Sequence, residues 1–294
     1  MAIITENEFA TRLQRRKLQG HIFHALCLIA ILIGLGMLGA LLYEVLSQGL
    51  GRLNLQFITS FPSRFPERAG IQAALLGSIY VVLIAGLLAF TLGVGAAIYL
   101  EEYATRSKIA AIIQTNISNL AGVPSIVYGI LGLEIFVRVL ALGKSVLAGG
   151  LTLALLVLPI VIIAAQEAIR AVPPSLREGG FALGATRWQV VWNLVLPYGF
   201  PGILTGVILA VSRALGETAP LIVMGALTFV PFAPDGPLSR FTVLPIQIFN
   251  WVSRPQEGFH INAAAGIIVL LILLLSMNAV AVYLRNRFQK KAEG

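Results

Sequence analysis

The chain has 294 residues, 57% of them hydrophobic and 12% charged, with a net charge of +8 and a mean hydropathy of +0.88. That balance excludes an ordinary soluble domain and points to an integral membrane protein. The single cysteine, Cys27, excludes an intramolecular disulfide and a cysteine-held metal cluster.

In chain order, six stretches reach the ~20 apolar residues that a bilayer-crossing helix requires: about 22–46, 73–100, 110–140, 146–169, 199–230 and 262–284, the third and fifth long enough to tilt, break or extend beyond the bilayer. Helices are the expected spanning form, because lipid offers backbone groups no partner and the stretches are too long for barrel strands. The expectation is an all-α membrane protein with six transmembrane helices. Residues 1–20 form a polar arm, 21–285 the transmembrane domain and 286–294 a polar tail. The arm carries Arg12, Arg15, Arg16 and Lys17 ahead of an apolar run, as a signal peptide would. That run is too long and lacks a small-residue cleavage pattern, so it reads as an uncleaved first span. Gly34, Gly36 and Gly39 within it spell G-x-G-x-x-G without a strand–turn–helix context, which reads as helix packing. Residues 47–70, with Pro62 and Pro66, form the first loop, and 231–261 form another rich in Pro, Phe and Trp.

The third span contains Gly122, Pro124, Gly129 and Gly132, so a kink or break is expected near its middle. Such an interruption either marks a transport path or is a proline kink supported by neighbouring helices. Asn116, Asn119, Ser125 and Tyr128 on this span either meet a passing oxyanion or bond across helices. Glu134 and Arg138, an i, i+4 pair near its far end, sit at the interface or at the mouth of a path. Asn116-Ile-Ser118 matches a glycosylation acceptor but falls in the span and is dismissed. His21, His24, His260 and the carboxylates lack metal-ligand spacing, so no metal and no cofactor are expected.

Between spans four and five, residues 173–197 are too polar to cross. Ser175/Glu178 and Thr186/Gln189 have capping-box spacing, and Gly184 stands where a left-handed stop belongs. Two short helices, about 176–183 and 187–195, are therefore expected, with a turn at Gly184 and an end at Pro197. Gly179 and Gly180 should loosen the first by about 1 kcal/mol each relative to alanine. Trp188, Val191, Trp192 and Val195 form an apolar stripe on the second. Helices this short need a surface to pack on: their own spans, or a partner protein as well. With the N-terminus inside, the 21 basic residues divide thirteen inside (Arg106, Arg170, Arg177 and Arg187 among them) to seven outside, leaving Arg213 in a span. Both termini are thus expected in the cytoplasm, and the positive charge reads as topology, with no nucleic-acid partner.

Arg213 and Glu217 lie one helical turn apart inside the fifth stretch. A charge at the centre of a bilayer helix costs roughly 2.5–3.5 kcal/mol even on lenient insertion scales. The pair is either self-neutralised and structural, or a guanidinium lining an anion path, where it could hold an oxyanion through two parallel hydrogen bonds. Gly202 and Gly206, with Gly216, would let another helix approach closely.

Glu178, Gly184, Leu194, Leu196 and Pro197 follow the spacing E-A-A, three residues, G, nine residues, I-x-L-P. This resembles the coupling loop of membrane subunits of bacterial ABC importers, with Gly179-Gly180 replacing two alanines and Leu194 the isoleucine. The resemblance implies that residues 173–197 fit a cleft on a cytoplasmic ATPase, with Glu178, Gly184, Trp188, Leu196 and Pro197 carrying the coupling. No G-x-x-x-x-G-K-[ST] loop occurs, so the chain is not expected to be its own ATPase. The run PGILTGVILAVSRALGETAPLI, together with GVPSIVYGILGL, resembles the PstA-type membrane subunit of high-affinity phosphate ABC importers. Ala69-Gly70-Ile71 stands where that family usually has Gly-Gly-Ile. The resemblance spans roughly residues 55–285. It implies phosphate as substrate, alternating access, Arg213 and Glu217 as pathway residues, and a place in the bacterial inner membrane. The implied partners are a sister permease, two ATPase subunits and an external phosphate-binding protein. The residues alone leave open another oxyanion, such as molybdate or sulfate, or a passive anion channel.

Overall fold

The computed structural model describes residues 6–104, 107–226 and 229–292. Arg106, counted above among the basic residues of one side, lies outside them, as do the side chains of Arg12, Arg15, Lys290 and Lys291. The α-helices among the described residues are α1 (Glu6–Gly49), α2 (Leu55–Thr59), α3 (Gln72–Ile98), α4 (Lys108–Ala121), α5 (Ser125–Gly132), α6 (Val146–Arg170), α7 (Pro174–Ala182), α8 (Arg187–Val190), α9 (Leu196–Gly216), α10 (Ala219–Met224), α11 (Leu244–Val252) and α12 (Glu257–Ala292). Helices α1, α3, α6, α9 and α12 are each long and apolar enough to cross a bilayer.

Helix α6 is the axis of the bundle, packing against α3, α9, α4 and α5. Two-thirds (67%) of its most apolar window is buried, against none (0%) of that of α1. The α6–α9 contact is the close approach that Gly202 and Gly206 allow. A methyl on Gly202 would stand 2.8 Å from Ala168 Cβ, and one on Gly206 would collide with Ala164. Small residues four apart on both helices thus bring the backbones together. Gly216, expected to join them, faces open space.

The third span is broken, with α4 and α5 meeting at 105°. It still crosses. Gln114 on α4 bonds Gln166 near the C-terminal end of α6, whereas Gly132 lies against Thr152 near its N-terminal end. At ~1.5 Å per residue those α6 positions are roughly 21 Å apart along its axis, so the bent pair counts as one span and the total is six.

Each end of the bundle has its own cap. The distal end holds residues 50–71 and 229–256, and Phe57, Ile71, Leu244, Trp251 and Phe259 form a separate buried cluster there. Arg52 fastens α1 to it: its guanidinium donates to Asn262 Oδ1 (2.9 Å), Glu67 O (2.7 Å) and Ala69 O (3.1 Å). The basal end carries α7 and α8. Backbone contact is closest under the distal cap, where a methyl on Gly77 would collide with the Thr242 carbonyl oxygen. Gly77→Ala should therefore cost about 1–3 kcal/mol, whereas Gly179→Ala, which enters open space, should leave stability unchanged or slightly raised. Thermal midpoints of the purified variants in one detergent check the contrast.

Candidate functional site

The fifth stretch, expected as a span over 199–230 long enough to tilt, break or extend beyond the bilayer, is two helices. Pro220 has no N–H to offer the Gly216 carbonyl and its ring would clash there, so α9 ends at Gly216. Glu217 is extended (φ −75°, ψ 125°), and α10 runs only to Met224 before Gly225 turns left-handed (φ 94°). Arg213 therefore occupies the last turn of α9, where a cation suits the helix C-terminus. Its Nε lies 3.4 Å from Glu217 Oε1; the Arg213 side chain is 53% exposed and that of Glu217 17%. No other hydrogen bond or ion pair holds Arg213 among the described residues, so the pair fastens α9 to no neighbouring helix. Both terminal guanidinium nitrogens are without a protein acceptor.

The other broken helix meets this one. Pro124 likewise cannot bond the carbonyl four residues back, Leu120 O. That oxygen accepts instead from the Val123 N–H at 3.1 Å and from the buried Tyr128 hydroxyl at 2.8 Å. Tyr128 thus closes the break and is not free to meet an ion. One turn into α5, a methyl on Gly129 would stand 2.7 Å from Pro220 Cα, so the two proline-made interruptions are apposed. Asn119 is exposed on the approach to the break and Ser125 half-buried just beyond it. Asn116 Nδ2 turns back to Ile112 O (2.8 Å). Glu134 and Arg138 form an exposed ion pair (2.8 Å) towards the distal end, separate from Arg213.

At the basal end the α7–α8 hairpin forms as expected at Gly184 (φ 79°), and Thr186 with Gln189 makes the full capping box. The Ser175/Glu178 box does not form. Proline at N1 starts α7 two residues early, with Pro173 as its cap and no side-chain bond; Glu178 is exposed. Nor does Pro197 end the second helix. A wide turn over Val191–Val195, with Leu196 N–H bonding Val191 O, adds a residue ahead of the proline, and the helix runs on into α9. Gly180 is a contact rather than a weakness, because a methyl there would stand 2.8 Å from Leu194 Cδ1 and 2.9 Å from Val190 Cγ2.

The expected apolar stripe divides. Val191 and Val195 are buried, while Trp188 and Trp192 stack on each other (5.5 Å between centroids) with 61% and 58% exposed. Leu183, at the hairpin turn, is 90% exposed. This hairpin is anchored by ion pairs that no sequence motif above includes. Glu102, at the end of the α3 extension, pairs with Arg177 of α7 (2.9 Å). Arg177 also donates to Val172 O (2.7 Å) and Ile169 O (2.8 Å), closing the C-terminus of α6. Glu101 pairs with Arg170 of α6 (2.5 Å). The signal was present as Glu101-Glu102 at the end of the second span, on the side where Arg170 and Arg177 also fall.

Residues 89–291 match the family of binding-protein-dependent transport system inner membrane components. The chain is 34% identical over 276 residues to a probable ABC transporter permease protein, YqgI, of Bacillus subtilis, covering 90% of this chain and 94% of the relative. It is 32% identical over 277 residues to the phosphate transport system permease protein PstA of Haemophilus influenzae, covering 94% and 96%. Among solved structures, an inward-facing form of the MetNI methionine ABC transporter has the same fold (TM-score 0.61, 16% identity), covering 73% of this chain and 94% of that one.

Gly184→Val would force a β-branched residue into left-handed backbone, a cost of at least about 1–2 kcal/mol. It should loosen the hairpin locally, seen as faster amide exchange over 176–195 with exchange in α6 unchanged.

Proposed function

This chain belongs to the family of binding-protein-dependent transport system inner membrane components, and we propose that it is the phosphate-translocating subunit of an ABC importer. Its length matches its relatives almost end to end, and those named PstA are phosphate transport permeases. The observation that carries the chemistry is the state of Arg213. One edge of the guanidinium leans on Glu217, and the two terminal nitrogens face outward from the junction of two broken helices. Such a fork suits two oxygens of a tetrahedral oxyanion. Glu217 keeps the local charge near neutral, so the ion is held weakly enough to leave.

The site is open because it is half of one. A sister permease would supply the facing wall, which explains why a side chain deep in a bilayer span is more than half exposed in this chain. Asn119 and Ser125 stand at the α4–α5 break as secondary contacts, and Glu134 with Arg138 lies nearer the mouth. With the basal end in the cytoplasm, residues 173–197 form the coupling surface for one of two ATPase subunits; the chain itself has no phosphate loop. Leu183, with Trp188 beside it, would enter the ATPase cleft. Glu178 lies on the exposed side, Gly184 makes the turn, and Leu196 and Pro197 carry motion straight into α9. Arg213 is roughly 24 Å further along that same helix at ~1.5 Å per residue. A phosphate-binding protein would deliver its ion at the distal end, in the bacterial inner membrane with both termini cytoplasmic.

Arg213→Gln in the reconstituted complex should abolish labelled-phosphate uptake while the subunits still co-purify. Arg213→Lys, keeping the charge and losing the fork, should retain a small fraction. Uptake by Arg213→Gln at the parent rate would sink the pathway role, and competition by sulfate or molybdate as strong as by phosphate would sink the substrate.

A further inference from the structure

A trough of ≈ 530 Å³ lies between the basal halves of α3 and α9, within the ~300–1,000 Å³ usual for small-molecule sites. Phe90, Val94 and Ile98 form one wall and Leu196, Phe200 and Ile203 the other. Gly95 keeps the space open, since a Cβ there would touch nothing within 4 Å. Apart from the Trp192 indole at its basal mouth, the lining offers an ion no free side-chain polar group among the described residues: the Thr91 hydroxyl donates to Leu87 O at 2.9 Å. An occupant has to be apolar. Polarity then changes in order towards the basal mouth. Trp192, stacked on Trp188, stands at the trough's end. Tyr99 and Tyr103 continue from α3, both exposed, and the Arg187 guanidinium lies over the Tyr103 ring, 5.7 Å from its centroid. An aromatic collar followed by a cation is the composition of a membrane interface.

We propose that the α3–α9 trough binds one acyl chain of an anionic membrane phospholipid, with its headgroup at Arg187. The chain would lie against Leu196 and Pro197, beside the wide turn that joins the basal hairpin to α9. Its presence would therefore stiffen or free the one stretch through which the hairpin moves that helix. The proposal rests on the bilayer placement of α3 and α9 and not on the identity of the transported ion.

The test uses the assembled transporter in bilayers of phosphatidylethanolamine and phosphatidylglycerol containing phosphatidylglycerol with a mid-chain diazirine. Irradiation should concentrate adducts on residues 90–98 and 196–203. Moving the diazirine towards the headgroup should shift them to Tyr99 and Trp192. Gly95→Leu fills empty space and favours the helix, so it should reduce trough adducts several-fold while those on α1 persist. Arg187→Gln should erase the preference for phosphatidylglycerol over an equally labelled phosphatidylcholine, leaving chain adducts in place. The proposal is overturned if trough adducts survive Gly95→Leu unchanged, or fail to move with the diazirine. It is equally overturned if a benzophenone at position 90 cross-links to another subunit, because a protein helix then fills the trough.

Discussion

A backbone carbonyl released inside a bilayer has no water to turn to, and that constraint organises the middle of this molecule. Proline at 124 and at 220 each denies a bond to the carbonyl four residues back, at Leu120 and Gly216. At the first, the Val123 N–H and the Tyr128 hydroxyl both donate to the Leu120 oxygen. At the second the helix ends, Glu217 leaves it in an extended conformation, and the chain restarts as α10. The two breaks pack on each other through Gly129 and Pro220, so irregular backbone at membrane depth is enclosed by protein on that side. Arg213 lies in the last turn of α9, just ahead of the second break. The cost of a charge in a span is smallest where backbone polarity is already concentrated, which is where this chain has placed one.

Rigid elsewhere, the bundle gives that site a defined frame. Glu101 and Glu102 hold the end of α3 against α6 and α7, and α7 lies on the second half of its hairpin through the small Gly180. Movement imposed on α7 therefore reaches α3 and α6 through charge-assisted bonds that are partly shielded from water. Movement imposed on the hairpin's second half reaches α9 through continuous helix. The wide turn at Val191–Val195 is the softest part of that second route, since its bonds span five residues rather than four.

Much of this was legible in the sequence, for reasons that differ by element. Spans one, two, four and six could be read because twenty apolar residues in a row have few alternatives in water or lipid. The left-handed turn at Gly184 and the Thr186 cap could be read because each depends on local backbone chemistry. The Arg213–Glu217 pair is legible as a charge cost in an apolar stretch. A break in the fifth stretch was legible from its excess length, and its position is fixed by Pro220 and Gly225. The Glu101–Arg170 and Glu102–Arg177 pairs join residues about seventy positions apart, and pairing at that separation follows from helix packing that no local pattern encodes.

The basal hairpin shows why periodicity misled where composition did not. The segment WQVVWNLV is apolar on nearly every side, so a stripe at 188, 191, 192 and 195 could be drawn while Val190 and Leu194 were ignored. In the fold, Val190, Val191 and Val195 turn inward, with Leu194 half-buried beside them. The two tryptophans are displaced to the rim of that buried face. A segment with more apolar surface than its own bundle can cover must leave the remainder for something else. The excess here is large, aromatic and self-stacked, which holds it rigid at little further entropic cost. It also adjoins the proline that would have ended the helix had the wide turn not carried the chain past it. The same extra residue that lets α8 run on into α9 therefore makes the exposed tryptophans part of the helix that bears Arg213.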